Sequence, residues 1–430
     1  MLERVMQVGE QAELFEIESE STKIGFQANK LKSFEVEETQ GMAARAVVEG
    51  RLGFAASSDV TAVDQLIDHV VASARLGDEI PLCFPESRPG PEVQIYDAGL
   101  AELPPPRLIE MGEEIIEAVL EADESAMVNV DLTRRVREST LRNSAGAEVV
   151  VRKSPLSIMV AVERVRGDDV LALFEYFSTA ALDEEYRDFV SRIAEKLRLG
   201  RRSATLSSGQ MPVLFSPTGA PLLALPLIHG LDGKNVYRGI SPMARRAGEP
   251  IFDEKLSVLD DPTLDGRPGS SSHDDEGVPR RRKALIDQGR LTGFVYDLKT
   301  AALAGTEPTG NGERGLFSPP SPSFSNMVVG AGKTPVEEII AGIDRGLLVE
   351  TPLGLGQGNV ISGRFSNNLS LAFKIEGGEI VGRVKDVSVA GNIYQDLQDI
   401  AAVSVESEWV YGGIRLPYML LSRLNVVTKG

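Results

Sequence analysis

Side chains that hold a borderline metal or act as a base near neutral pH are scarce in this 430-residue sequence, which has three histidines and one cysteine. Cys83 sits between Pro81 and Pro85 with no basic neighbour to lower its pKa, which argues against a nucleophilic thiol. A single cysteine also excludes an internal disulfide framework and any structural zinc site built on two or more cysteines, and it suits a reducing compartment. No Gly-x-Ser-x-Gly elbow occurs, so serine-hydrolase chemistry lacks its usual frame. His273-Asp274-Asp275-Glu276 gathers one imidazole and three carboxylates, donors that suit a hard cation. Their spacing matches no calcium loop, so the expectation is a hydrogen-bonded or solvated loop whose carboxylates Asp274, Asp275 and Glu276 make loop or peptide-cleft contacts. Arg280-Arg281-Arg282-Lys283 follows at once, as counter-charge to that cluster or as an anion contact.

Two glycine-rich stretches imitate nucleotide-binding loops. Gly330-Ala331-Gly332-Lys333-Thr334 stands between an apolar run and a helix pattern, but Met327 occupies the position where a phosphate-binding loop needs its first glycine. Gly354, Gly356 and Gly358 miss a dinucleotide fingerprint because Asn359 replaces the third glycine, so tight turns are expected. His229 ends an apolar helix expected at about 218–231, and by itself reads as a helix-end residue whose ring packs or hydrogen-bonds.

The elements that must position these residues follow from hydrophobic periodicity. Partial alternation from Glu13 to Ala56, broken at Asn29 and at Glu49-Gly50-Arg51, predicts an antiparallel sheet. Asp59 opens an expected helix with Val63, Leu66, Ile67, Val70 and Val71 on one stripe, and Pro104-Pro105-Pro106 opens another. Strands are expected at 134–142, 147–153, 156–165 and 170–177. A third helix then has Asp183, Glu184 and Glu185 in its first turn and Gly200 as its stop. Polar residues 200–210 mark a linker, and beyond them the texture is mostly hairpins, with a capping-box helix start at Thr334-Pro335-Val336-Glu337. The fold class is therefore α+β in two domains: residues 1–200, a sheet with helices, and residues 201–430, a β-rich domain. Residues 239–279 form a long segment without apolar periodicity, a length at which loops usually carry function.

Lys+Arg 45 against Asp+Glu 63 gives a formal charge of -18, which argues against direct nucleic-acid binding and against anionic membranes. Glu3, Glu10 and Glu13 interrupt any signal-peptide core, and no run is long and apolar enough to span a bilayer, so a cytoplasmic location is expected.

The stretch Ala224-Leu225-Pro226-Leu227-Ile228-His229-Gly230-Leu231-Asp232-Gly233 resembles the metal-binding helix of the TldD/TldE (PmbA) metallopeptidase family. Catalytic members carry His-Glu-x-x-x-His followed by Gly-x-Glu-Gly. In register, His229 matches the second histidine and Asp232 the following acid, while Ala224 replaces the first zinc histidine and Leu225 the general-base glutamate. The segment comparable to the one with the cysteine ligand, Glu408-Trp409-Val410-Tyr411-Gly412-Gly413, has no cysteine. Gly50-Arg51-Leu52-Gly53-Phe54-Ala55, Asp274-Asp275-Glu276-Gly277-Val278-Pro279 and Val389-Ala390-Gly391-Asn392 extend the resemblance over nearly the whole chain. These departures imply the TldE/PmbA type, also known as a modulator of DNA gyrase: no catalytic residue and no metal of its own, with zinc carried by a TldD-type partner. The resemblance implies a non-catalytic subunit of a cytoplasmic protease for small or unfolded peptides, bound as extended strands, in a heteromer or homodimer. Two other readings stay open. One is a stand-alone homodimeric peptide-binding or gyrase-modulating regulator; the other is an independent hydrolase using His229, Asp232 and the 273–276 cluster.

Overall fold

Alternation along Ala126–Asn143 is nearly strict, with Ala126, Val128, Val130 and Leu132 buried and Met127, Asn129 and Asp131 exposed, the pattern of a strand covered on one face. The computed structural model describes residues 2–167, 169–182 and 185–429. After a short helix α1 (Leu2–Val5), β1 (Gln11–Gln27), β2 (Lys30–Val48) and β3 (Arg51–Ser57) form a meander, followed by α2 (Val63–Arg75), α3 (Ala98–Ala101) and α4 (Pro105–Ala122). Then come β4 (Ala126–Asn143), β5 (Glu148–Lys153), β6 (Leu156–Arg166), β7 (Asp169–Thr179) and α5 (Glu185–Leu199). These strands make one antiparallel sheet, ordered β3-β2-β1-β4-β6-β7, with β5 also on β4. Two of its two-residue turns, Ala28-Asn29 and Glu49-Gly50, have positive φ at both residues, as such hairpin turns require.

One boundary in this half differs from expectation. Asp59 does not start α2: its Oδ1 accepts from the amide and hydroxyl of Thr61 in a local turn, and the helix begins at Val63. Helix α5 buries Phe189, Ile193 and Leu197 as expected, while the expected first-turn acids Asp183 and Glu184 lie outside the described residues.

The remaining chain runs through β8 (Gly209–Phe215), α6 (Pro221–Leu231), α7 (Gly233–Tyr237), β9 (Val258–Asp260), β10 (Lys283–Asp287), β11 (Arg290–Leu291), α8 (Leu298–Ala304), β12 (Gly312–Glu313), β13 (Ser321–Pro322) and β14 (Met327–Val329). It continues with α9 (Val336–Ala341), β15 (Arg345–Pro352), a 3-10 turn (Val360–Ser362), β16 (Arg364–Glu376), β17 (Glu379–Arg383), β18 (Val387–Asn392), α10 (Ile393–Asp396), β19 (Ile400–Val410) and β20 (Ile414–Thr428). Strands β8, β15, β16, β18 and β20 close into a ring of hydrogen-bonded neighbours, because β20 pairs back onto β8. The fold class is α+β with a strand-rich C-terminal half. Helix α9 departs from the capping-box expectation. Pro335 holds the N-cap position, and the amide of Val336 is satisfied by Glu406 Oε2 at 3.0 Å instead of by Thr334.

Strand alternation ties the two sheets together. Val213 and Phe215 of β8 and Leu347 and Val349 of β15 point into a core with α6. Leu214 and Leu348 point the other way, into a core shared with α4, α5 and the N-terminal sheet. Buried charges cross the same junction. Arg45 of β2 donates to Glu13 Oε2 and to Glu276 Oε1, both at 2.6 Å, and all three side chains are essentially inaccessible. Lys196 of α5 pairs with Glu175 at 2.7 Å and Glu350 at 2.9 Å.

Candidate functional site

Helix α6 is apolar around nearly its whole circumference, which forces it into the interior of the C-terminal core. Pro226 sits inside it and removes one helical donor, while its own carbonyl accepts from the Tyr394 hydroxyl at 3.0 Å. At the C-terminal end side chains satisfy the orphan carbonyls: Asn235 Nδ2 donates to His229 O at 2.8 Å and Ser241 Oγ to Gly230 O at 2.6 Å. Gly230 is required here, since a Cβ would stand 2.7 Å from the Tyr394 oxygen. Asp232 then caps α7, its Oδ1 accepting from the Lys234 amide at 2.8 Å. Burial, with the nearby Asp297 charge adding to it, pushes the Asp232 carboxyl above the usual range.

The four positions in register with the zinc motif do not meet. Ala224 is buried in the core, Leu225 is half-buried and faces a groove, His229 is exposed, and Asp232 serves as a cap. His229 is exposed and its carbonyl accepts from Asn235, and among the described residues its ring has no hydrogen-bond partner, so of the two roles expected for the ring hydrogen bonding is not met. A methyl group, an isobutyl group and one exposed imidazole do not make a zinc donor set, which needs three protein ligands in a catalytic site. Among the described residues, no three His, Cys, Asp or Glu side chains are grouped to hold a metal. The segment 408–413 forms the β19–β20 hairpin, with the Arg267 guanidinium 4.7 Å over the Trp409 ring.

The 273–276 cluster diverges instead of converging. His273 meets Ser272 Oγ at 3.0 Å and the Arg88 carbonyl at 2.9 Å. Asp274 accepts from the amides of Glu276, Val278 and Gly312, at 2.8 to 3.0 Å, and burial raises it to about 6. Asp275 is half-buried and accepts from the Arg314 amide at 3.1 Å. Glu276 faces Arg45 and accepts from the Leu298 amide at 2.7 Å, and burial pushes it up to about 8 despite the guanidinium. Asp274 and Glu276 are thus internal braces, not cleft residues. Of the following basic run, Arg280 acts as counter-charge to Asp274, as expected, while Lys283 pairs with Asp260 at 2.7 Å and Arg282 with Asp261 at 3.2 Å.

Sequence reasoning missed the cavity that α6 does line. A groove of about 490 Å³ is bounded by Leu222, Leu225 and Pro226 on one side and by the 353–360 loop on the other, with β16 residues 364–368 as its floor. Gly354, Gly356 and Gly358 all have φ between 70° and 78°, so they are turn glycines as expected, and their loop forms a wall of the groove. Along residues 364–368, β16 pairs with β18 on one edge; β15 joins the opposite edge only from Leu369 onward. The Leu353 amide still donates to the Asn368 carbonyl at 2.8 Å, so the edge of β16 without a strand partner is short, residues 364–367, and these residues line the groove. Segment 389–392, which carries part of the family resemblance, is the β18 partner of that floor. The alternation Arg364-Phe365-Ser366-Asn367 directly after three spaced glycines was the available sequence signal.

With this geometry in view, the comparisons are specific. Residues 208–428 match the PmbA/TldA metallopeptidase C-terminal domain and residues 12–74 match PmbA/TldA metallopeptidase domain 1. TldE from Thermococcus kodakarensis superposes with a TM-score of 0.91 at 26% identity, covering 99% of this chain and 98% of that one. A candidate modulator of a DNA gyrase from Thermotoga maritima shares the fold at 23% identity and a TM-score of 0.89, covering 99% of each chain. A metalloprotease TldD homolog of Buchnera aphidicola is 34% identical over 199 residues, 46% of this chain and 41% of that protein. The chain thus matches less than half the length of that curated relative.

Proposed function

The chain belongs to the TldD/TldE (PmbA) metallopeptidase family, and on that premise we propose that it is the non-catalytic, TldE-type subunit of a peptidase that takes small or unfolded peptides. The observation that carries this reading is a groove kept without the reagents of hydrolysis. The helix in register with the zinc motif still walls a groove of about 490 Å³. Its ligand and base positions hold Ala224 and Leu225. An extended peptide fits the open edge of β16, where main-chain hydrogen bonds supply affinity without regard to sequence. The groove walls carry no carboxylate, imidazole or thiol to take a proton or hold a metal; their polar side chains are Gln357, Asn359, Arg364, Ser366, Asn367 and Asn368. Zinc and the hydrolytic step are assigned to a TldD-type partner; this subunit holds and presents the chain to be cut, in the cytoplasm.

The test mixes the purified chain with a zinc-bearing TldD-type subunit. A heteromer is expected on size exclusion, with peptidase activity that neither subunit shows alone. Leu225→Trp, which fills the groove, should leave the heteromer intact and lower its activity at least tenfold. Equal cleavage by the partner alone, with no complex formed, would overturn the proposal.

A further inference from the structure

A second cavity, of about 170 Å³, lies where the N-terminal sheet meets the segments around 275 and 313. Arg135 and Arg137 on β4, Lys153 at the end of β5, and Arg280 all line it, against two carboxylates, Asp275 and Glu313. Among the described residues, none of the four cations is within ion-pair distance of either carboxylate. Glu313 is exposed, so water and salt screen its charge, and Asp275 is already engaged by a backbone amide. Arg280 is only 7% exposed, and its Nε has no hydrogen-bond partner. Its Nη1 makes one long contact, 3.4 Å to the Gly269 carbonyl. A buried guanidinium donor left unmatched costs free energy that a bound acceptor would recover.

The positive excess is out of keeping with the rest of the molecule, whose formal charge is -18. Lys153 donates to the Pro268 carbonyl at 3.0 Å, and burial and then the Arg280 charge bring it down to about 8 against the pull of Asp275 and Glu313. Like charges gathered in an enclosed space, with few acceptors, are what an anion site requires.

We infer that this cavity is a binding site for a small oxyanion, with Arg280 and Lys153 as its inner donors and Arg135 and Arg137 at its rim. The chemistry fits a free phosphate or the C-terminal carboxylate of a short peptide. The site is separate from the β16 groove and does not depend on the peptidase reading.

Calorimetric titration of the full chain with inorganic phosphate, with a tripeptide acid and with the same tripeptide as its amide tests this at constant ionic strength. Saturable binding of phosphate, or of the acid but not the amide, is expected, and the two patterns tell the sources apart. Arg280→Gln and the rim variant Arg137→Gln should each weaken it about 10- to 100-fold. Lys32→Gln, on the exposed β1–β2 hairpin, should leave it unchanged. No saturable response to either anion, or wild-type affinity in folded Arg137→Gln and Arg280→Gln proteins, would overturn the assignment.

Discussion

Glu276 is the most informative single position in the junction between the two sheets. Its Oε1 receives Arg45 Nη1 at 2.6 Å and its Oε2 receives the Leu298 amide at 2.7 Å, with the side chain fully inaccessible. Glu276→Ala removes both acceptors. Arg45 and Arg314 are then left to share Glu13, to which Arg314 Nη2 lies 2.8 Å away. Two buried donors without partners cost about 1–3 kcal/mol each, so the expected loss near pH 6, where the carboxyl is still protonated, is about 2–6 kcal/mol. Glu276→Gln keeps an oxygen for one donor and should lose less.

The two variants also separate through pH. The Glu276 carboxyl is raised from 4.5 to about 8, so between those values the folded protein binds a proton that the unfolded chain has released. Stability from this group is therefore full at the acidic end of the window and declines as pH rises from about 4.5 towards 8, by a few kcal/mol. Asp274, raised to about 6, adds a smaller decline of the same sign between about 4 and 6. Urea unfolding at pH 5, 6, 7 and 8 reads this directly. Wild type should weaken steadily across the series, while Glu276→Gln, which cannot ionise, should be much flatter. A wild-type profile that rises with pH, or a Glu276→Ala protein within about 1 kcal/mol of wild type at pH 6, would refute the reasoning.

Lys196→Met should destabilise by about 3–5 kcal/mol, because Glu175 and Glu350 are left facing each other in the interior, and denaturant unfolding is the measurement. Tyr394→Phe should cost about 1 kcal/mol by leaving the Pro226 carbonyl without its donor, read as a lowered unfolding midpoint with unchanged secondary structure. The purified chain should carry no stoichiometric zinc, since Ala224 and Leu225 offer no donor and His229 stands alone; elemental analysis returning one zinc per chain that His229→Ala releases would refute this.

What the sequence determined by itself is local in origin. Asn29 and Glu49-Gly50 mark the hairpin turns because left-handed backbone is tolerated by few residues, and the stripe Leu66, Ile67, Val70 declares a helix face because its period is a property of the chain alone. The missing zinc donors were equally legible, as a methyl or isobutyl group binds no metal in any fold. Tertiary structure decided everything that depends on which segments meet. Thr334 lost the cap of α9 to Glu406, seventy residues away along the chain, because a carboxylate delivered by β19 reaches the Val336 amide. The sequence left Asp274 and Glu276 as either solvated or hydrogen-bonded loop acids, and only the placing of Arg45 and the amides of Gly312 and Leu298 against them decided for the latter. The three glycines after Leu353 identified turns, but the groove they wall exists only because β15 leaves the edge of β16 at Leu369 and α6 packs alongside. Spacing along a chain fixes which backbone shapes are permitted; charge burial and cavities are properties of distances in space, which the packing of both sheets and the segments between them establishes.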